Sequence, residues 1–361
     1  MDKSINSGEI LFVKSVKDGI PNRDPLNDSD ARRLFSEEDG RISLSDVSIK
    51  RDVRDFIIDT NPDGGESKLN YIFVQGKMGD KGKLLGRESL AKTIATEVNK
   101  EKKAKDNMKS VLIEHCFDVR TFGIVYSVKP KFNLTGPVQF GWAHSLHPVD
   151  SQYIQGTAVI PSKDISNESN NVQKESSDTS EEIHEDIIIE NEETQEDIIN
   201  DSDKAQKNTE GKTQGTIWTS YIVPFAIFAM PAIINAKAAI HSEMTIEDQE
   251  LLLKALWQGT QHRQARGRGQ QQPLLLVHIE YNDPFYRIGY LEDLISILPD
   301  GKTWRALEKQ PSSLMDISLD VQPLLEVVMR NNSKIARCRI WLRPGLNIKG
   351  NIMEYEQQPL W

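Results

Sequence analysis

An α+β fold is predicted by three features of the chain. Apolar runs of strand length stand at residues 9–17 and from Pro273 onward, each bounded by turn-forming residues. Between them, residues 45–58 and the segment after Thr245 repeat apolar side chains at helical spacing behind capping residues. With strand-like segments at 70–75 and 121–128, the order becomes strand, helix, strand, strand, helix, strand. That is the ferredoxin-like arrangement, which RNA-recognition (RRM) modules share.

The first strand is read from Ile10, Leu11, Phe12, Val13 and Val16, and it breaks at Asp18-Gly19. The loop that follows, "GIPNRDP", holds the residues turns need for their backbone angles, yet turn chemistry does not require Arg23. In the helix over 45–58, Ser45 is placed to cap, Asp46 suits the first turn, and Ile49, Val53, Phe56 and Ile57 form the apolar stripe. Lys50, Arg51 and Arg54 fall on a face beside it. Residues 217–240 are nearly uncharged, but Thr219, Ser220, Pro224, Pro231 and Asn235 interrupt them, which favours buried strands over a membrane span. Thr245 and Asp248 stand in capping-box positions, followed by Leu251, Leu252, Ala255 and Leu256 on one side of a helix.

The net charge of −10 is unevenly spread over the 361 residues. Residues 161–215 hold 16 acidic and 5 basic side chains, so the remainder, with 38 acidic and 39 basic, is free to carry basic faces. That acidic segment is too poor in apolar residues to offset ordering entropy and reads as a disordered insert. Its "DIIIE" and "EDIIN" patches have the composition to become helical on a partner. The expected layout is a folded part over 1–160, the insert over 161–215, the second folded part over 216–282, and a C-terminal extension over 283–361. "MDKSINSGEI" lacks the apolar core of a signal peptide, so a cytoplasmic protein is expected. Cys116 and Cys338 belong to no metal-binding or disulfide pattern.

Four stretches invite a chemical reading. "GKMGDKGKLLG" fails as a phosphate loop, because Lys77 stands where glycine is required and Leu84 where Ser or Thr is. His144 and His147 in "HSLHP" have no further metal ligands in pattern. "DVRTFGIVY" offers Asp118 as a general base with no evident partner, and echoes an RNA-binding signature through Arg120, Phe122, Gly123 and Val125. "HRQARGRGQQQP" carries Arg263, Arg266 and Arg268 among glycine and glutamine, equally suited to phosphate recognition and to a flexible connection. No cofactor or metal is expected.

Taken together, these segments resemble the crRNA-binding backbone subunits of type I CRISPR interference (Cascade) complexes, the Cas-seven family, most closely its subtype I-B members. "GIPNRDP" is similar to the family's loop after the first strand, with Ile20 and Arg23 as departures. "LSDVSIKRDVRDF" resembles its basic helix, keeping Ser45, Asp46, Val47, Lys50, Arg51, Arg54 and Asp55. "DVRTFG" followed by "LTGPVQFGWAHSLHPV" is similar to a third stretch, and "AIHSEMTIEDQELLLKALWQG" keeps Thr245 and Asp248 of a fourth. The resemblance runs over residues 9–282.

It implies a modified RRM palm with finger and thumb insertions. It also implies a noncatalytic role, with copies stacked head-to-tail along crRNA beside other Cascade subunits, leaving guide bases to pair with target DNA. By that resemblance Asn22, Arg23, Lys50, Arg51, Arg54, Arg120, Arg263, Arg266 and Arg268 are candidates for holding the RNA backbone. Gln139, Phe140, Trp142 and His144 fall in the segment assigned to the thumb, although core packing suits the two aromatics as well. The alternative is an RNA-cleaving subunit of type III character that uses Asp118.

Overall fold

The computed structural model describes residues 5–27, 29–79, 82–157 and 217–361; the acidic segment 161–215 lies outside them. The chain divides into two units, Met1–Ile154 with Ser220–Trp361, and Gln155–Thr219. Of the second, the described residues are the ends of strands Gln152–Thr157 and Ile217–Ile222, which pair with each other.

The first unit is a mixed α/β structure around one sheet. Its strands are β1 (Gly8–Lys17), β4 (Val138–Phe140), β5 (Ala143–Ser145), β6 (Phe225–Ile234), β7 (Gln270–Tyr281) and β8 (Ile335–Leu342), while β2 (Gly123–Tyr126) and β3 (Phe132–Thr135) form a separate hairpin. β1 lies between β6 and β7, antiparallel to both. β4 and β5 pair with the outer edge of β6, and β8 pairs with β7. A two-residue strand, Glu356–Gln357, runs parallel to β8 and makes the sheet mixed. The helices are α1 (Asp46–Thr60), α2 (Arg87–Glu97), α3 (Glu101–His115), α4 (Phe117–Phe122), α5 (Ala236–Ser242), α6 (Ile246–His262), α7 (Gly301–Ala306) and α8 (Gln322–Arg330).

β1 is apolar without alternation because both of its faces are buried. Ile10, Phe12 and Val16 face α1 and α6 through Ile49, Val53, Leu252 and Leu256. The two helices approach closely at Gly259, where an added Cβ would sit 2.7 Å from the Asp52 carbonyl oxygen. Leu11 and Val13 face the opposite way, onto a layer built by Leu291, Ile297, Leu319, Leu324 and Val328. Residues 283–361 therefore cover the sheet face that an isolated RNA-recognition module would leave open.

Two expected strands differ from the structure. Residues 70–75 form no strand: Tyr71 makes one bridge to Cys116, and the Phe73 and Val74 N–H groups donate to Asp118 instead of to a neighbouring strand. Of residues 121–128 only Gly123–Tyr126 is extended, as β2 of the separate hairpin. The preceding "FDVRTF" is α4, so the RNA-binding signature does not sit on a central strand. α2, α3, α4 and the hairpin share their own core of Leu90, Ile94, Val111, Leu112, Val119 and Tyr126. The apolar stretch 217–240 supplies strand Ile217–Ile222, β6 and the start of α5. No helix among the described residues is long and apolar enough to cross a membrane.

Candidate nucleic-acid interface

The C-terminal end of β1 meets the start of β6 and of β7, Lys17 pairing with both Phe225 and Gln270. Backbone bonds from Asp18 and Gly19 to Pro224 and Val223, and from Ile20 to Gly267, stitch the chain down there. Gly19 is required by contact, since a Cβ would lie 2.0 Å from the Gly269 nitrogen. The "GIPNRDP" loop then packs onto the first turn of α1. Asn22 is buried, and its Oδ1 accepts the Ser45 N–H at 2.9 Å. Ser45 caps α1 in backbone geometry alone; its side chain makes no capping bond, and Asn22 supplies an acceptor for this segment instead. The Pro21 carbonyl accepts from Ser48 Oγ and from Arg268 Nη1.

Arg23 donates to the carbonyls of Ser29, Tyr221 and Gly267 and to Ser220 Oγ, at 2.9 to 3.4 Å. Three segments distant in sequence, residues 19–25, the start of α1 and residues 263–269, thus share one rim. Beneath it lies Asp52, 1% exposed. Its Oδ1 accepts from Arg263 at 3.0 Å and Arg268 at 2.8 Å, and its Oδ2 from Lys14 at 3.2 Å. Burial opposes ionisation of this carboxyl, but Arg268, Lys14 and Arg263 outweigh it and hold Asp52 below the usual carboxylate range. Burial pulls the Lys14 ammonium down, against the attraction of Asp52.

Arg51 and Arg263 share Asp55, at 2.6 and 3.2 Å. They line a cleft of about 570 Å³ with Gln75, Gly76, His262 and Gln264. Lys50 folds back onto Asp46 at 2.6 Å, and Arg266 is exposed on the 263–269 loop.

Other candidates are placed elsewhere. Arg54 is buried against Asp118, with Nε 3.0 Å from Oδ2. Arg120 grips Asp248 with two bonds, at 2.9 and 2.7 Å, and donates to the carbonyls of Leu69, Ile113 and Glu114. The carboxylate that closes the α6 capping box is therefore also the counter-ion of Arg120. Phe140 packs in the core, 6.1 Å from the Phe122 ring, on a strand paired with Ala232–Ile234 at the far end of β6 from the rim. Gln139 donates to the Gly136 carbonyl, and Trp142 is half-buried. His144 Nδ1 lies 3.0 Å from Ser43 Oγ and its ring meets Phe35 edge-on, so it stands apart from the loop cluster.

Asp118 is 1% exposed and accepts from Phe73 N–H, Val74 N–H and Arg54 Nε. Its oxygens hold the backbone of residues 73–74 and the Arg54 side chain, which gives this buried carboxylate a structural task. Among the described residues, no group of three His, Cys, Asp or Glu is placed to hold a metal ion. Sequence reasoning missed Lys14, Asp52 and Asp55. The legible signal was Lys14 itself, a charge set in the apolar middle of the strand, which demands a buried counter-ion.

A chain of a solved pre-nicking CRISPR RNA-guided surveillance complex shares this fold, with a TM-score of 0.52 at 13% identity over 98% of this chain and 96% of that one. A CRISPR-associated protein Cas7 of Haloferax volcanii is 22% identical over 336 residues, which cover 92% of this chain and 85% of the relative. The family described as CRISPR-associated protein Cas7 matches residues 6–322, past the point at which motif resemblance ended. A match over most of the chain settles its membership: the chain belongs to the CRISPR-associated protein Cas7 family.

Proposed function

We propose that the chain is a noncatalytic crRNA-binding backbone subunit of a type I Cascade complex of I-B character, acting in the cytoplasm. Copies of it stack head-to-tail along the guide beside other Cascade subunits, and the guide's bases stay free for target DNA. The observation that carries this reading is the rim, where three cation-bearing segments are pinned together by Asn22, Arg23 and Arg268. The antiparallel strands β7, β1 and β6, with α1 and α6 on one face, supply the RRM-like palm. The separately cored α2–α4 segment supplies the finger, and β4 with β5 the thumb base.

Because residues 283–361 cover the second sheet face, RNA is held at the rim through its backbone. Sequence is then read by base pairing, and the protein needs no base-specific contacts. Asp118 supports the fold in this reading. The arginines divide accordingly: Arg54, Arg120 and Arg268 hold the protein together, while Lys50, Arg51 and Arg266 meet phosphate alongside Arg23 and Arg263.

The test is copurification. Small RNA of uniform length should accompany the chain, and binding of that RNA should weaken steeply with salt. Joint substitution of Lys50, Arg51 and Arg266 by alanine should lower affinity about tenfold or more and reduce the salt slope by about 1 per lost contact. Unchanged affinity and slope in a folded triple variant would sink the assignment. Cleavage of matched RNA, lost in Asp118→Asn, would favour the type III alternative.

A further inference from the structure

The loop after β7, "NDPFYRIGY" over residues 282–290, displays two large aromatic rings to solvent: Phe285 is 83% and Tyr290 78% exposed. Exposed aromatics on a floppy loop would mean little, but this loop is clamped. The buried Glu9 carboxylate accepts from the Ile288 and Gly289 N–H groups, at 2.9 and 3.0 Å, and from the Tyr281 hydroxyl. Tyr286 turns inward, meets Tyr281 edge-on at 5.4 Å, and donates to Asn331 Oδ1 at 2.6 Å. Asn282 bonds to the carbonyls of Ser333 and Lys334. The rings of Phe285 and Tyr290 are thus held out on a fixed scaffold.

Tyr290 adds a second observation. It sits in the left-handed region, at φ 50° and ψ 45°, where a bulky side chain is strained and glycine is not. A glycine at position 290 itself would adopt this conformation without strain. Strain kept at an exposed aromatic points to a use for the ring.

The surroundings select what the rings meet. Arg287 lies between them, exposed and, among the described residues, in no hydrogen bond or ion pair. Lys334 stands over the Tyr286 ring at 5.8 Å, without a carboxylate partner among the described residues. Of the neighbouring carboxylates, Asp283 accepts the Phe285 N–H of its own loop and Glu326 bonds Arg330 and Gln322, while Glu292 and Asp293 follow Tyr290; among the described residues none of them pairs with Arg287 or Lys334. Two rings beside unpaired cations suit stacked bases with a phosphate backbone.

We infer that residues 282–290 form a second nucleic-acid contact, a stacking platform for single-stranded nucleic acid outside the guide-holding rim. Phe285 and Tyr290 each stack a base, and Arg287 and Lys334 meet phosphate. The platform goes beyond the guide-binding reading, since it requires neither the rim nor a bound guide.

The probe is a fluorescein-labelled oligo(dT) that cannot pair with any guide, titrated by anisotropy into the purified chain with whatever RNA accompanies it. Phe285→Ala with Tyr290→Gly should lose affinity by about tenfold or more. Tyr290→Gly alone should weaken binding while leaving the thermal midpoint unchanged or raised, a combination that a structural role for the ring does not produce. Arg287→Ala should flatten the salt dependence. Equal affinity of wild type and the double variant overturns the platform. So does a double variant that keeps oligonucleotide binding but loses self-association, which would assign the rings to a second copy of the chain. If no guide RNA copurifies, the titration is made in the background where Lys50, Arg51 and Arg266 are alanine, so that an empty rim does not take up the probe and the two readings fail separately.

Discussion

His147 is buried and neutral for reasons local to one side chain. Its ring lies against Phe225, Nδ1 is 2.8 Å from the Pro148 carbonyl, and Nε2 has no partner among the described residues. Burial pulls its pKa down to about 4, against the smaller pull of the carbonyl. Between pH 6.5 and 4 the unfolded chain therefore binds a proton that the folded chain refuses, so stability falls as pH drops through that window. His278, fully buried beside Arg339, acts in the same direction. Asp52 contributes at lower pH, because its depressed carboxyl stabilises the fold above the ordinary carboxylate pKa and loses that contribution as pH falls below it. Urea denaturation at pH 7 and pH 5 should show a loss of up to about 2 kcal/mol from His147. His147→Asn should remove that part of the slope, and an identical slope in the variant would contradict the burial argument.

Among the arginines the same kind of residue does two different jobs. Arg120→Ala leaves Asp248 buried without its cation and should cost roughly 3–5 kcal/mol. Arg51 is part-exposed and shares Asp55 with Arg263, so Arg51→Ala should stay within about 1 kcal/mol. Thermal denaturation of the pair separates a structural arginine from one available to a ligand. A large loss in Arg51→Ala would mean that the cleft residues are framework after all.

At the scale of elements, what was legible followed local rules. β1, α1 and α6 carried their own signals, and the Thr245–Asp248 capping box forms as its spacing predicts. What was not legible depended on partners far along the chain. Arg54 looks like a member of a basic face, and Arg120 like part of an RNA-binding signature, until Asp118 and Asp248 arrive from 64 and 128 residues away. Residues 70–75 have strand composition, but their N–H groups are claimed by a carboxylate that no local pattern could foretell. The "GIPNRDP" loop forms the turn its residues call for, and it packs onto the start of α1. Its side chains also make long-range contacts that turn chemistry does not announce: Asn22 accepts the Ser45 N–H, and Arg23 ties Gly267 to Tyr221. Asn22→Ala should accordingly lower stability by about 1 kcal/mol, a typical loss for a capping acceptor, and loosen the rim. Faster hydrogen exchange at Ser45 and along residues 19–25, with β7 still protected, is the expected signature.

For the molecule as a whole, the decisive feature is that both faces of one sheet are covered. Family resemblance in the motifs ended near Asp283, yet the residues beyond it complete the core rather than trail from it. Leu324 and Val328 of α8 lie in the same apolar cluster as Leu11 and Val13 of β1 and Val277 and Ile279 of β7. If that layer were an appended module, the sheet would survive without it. If it is the second half of the core, removing one anchor must weaken the whole. Leu324→Ala deletes a side chain that is 1% exposed, and buried leucine truncations cost about 2–5 kcal/mol. The loss should appear as one cooperative transition in which amides of β1 and of α8 lose exchange protection together. Loss of protection in α8 alone, with β1 exchanging as in the unsubstituted chain, would show that the layer is separable and that the sheet face beneath it can open.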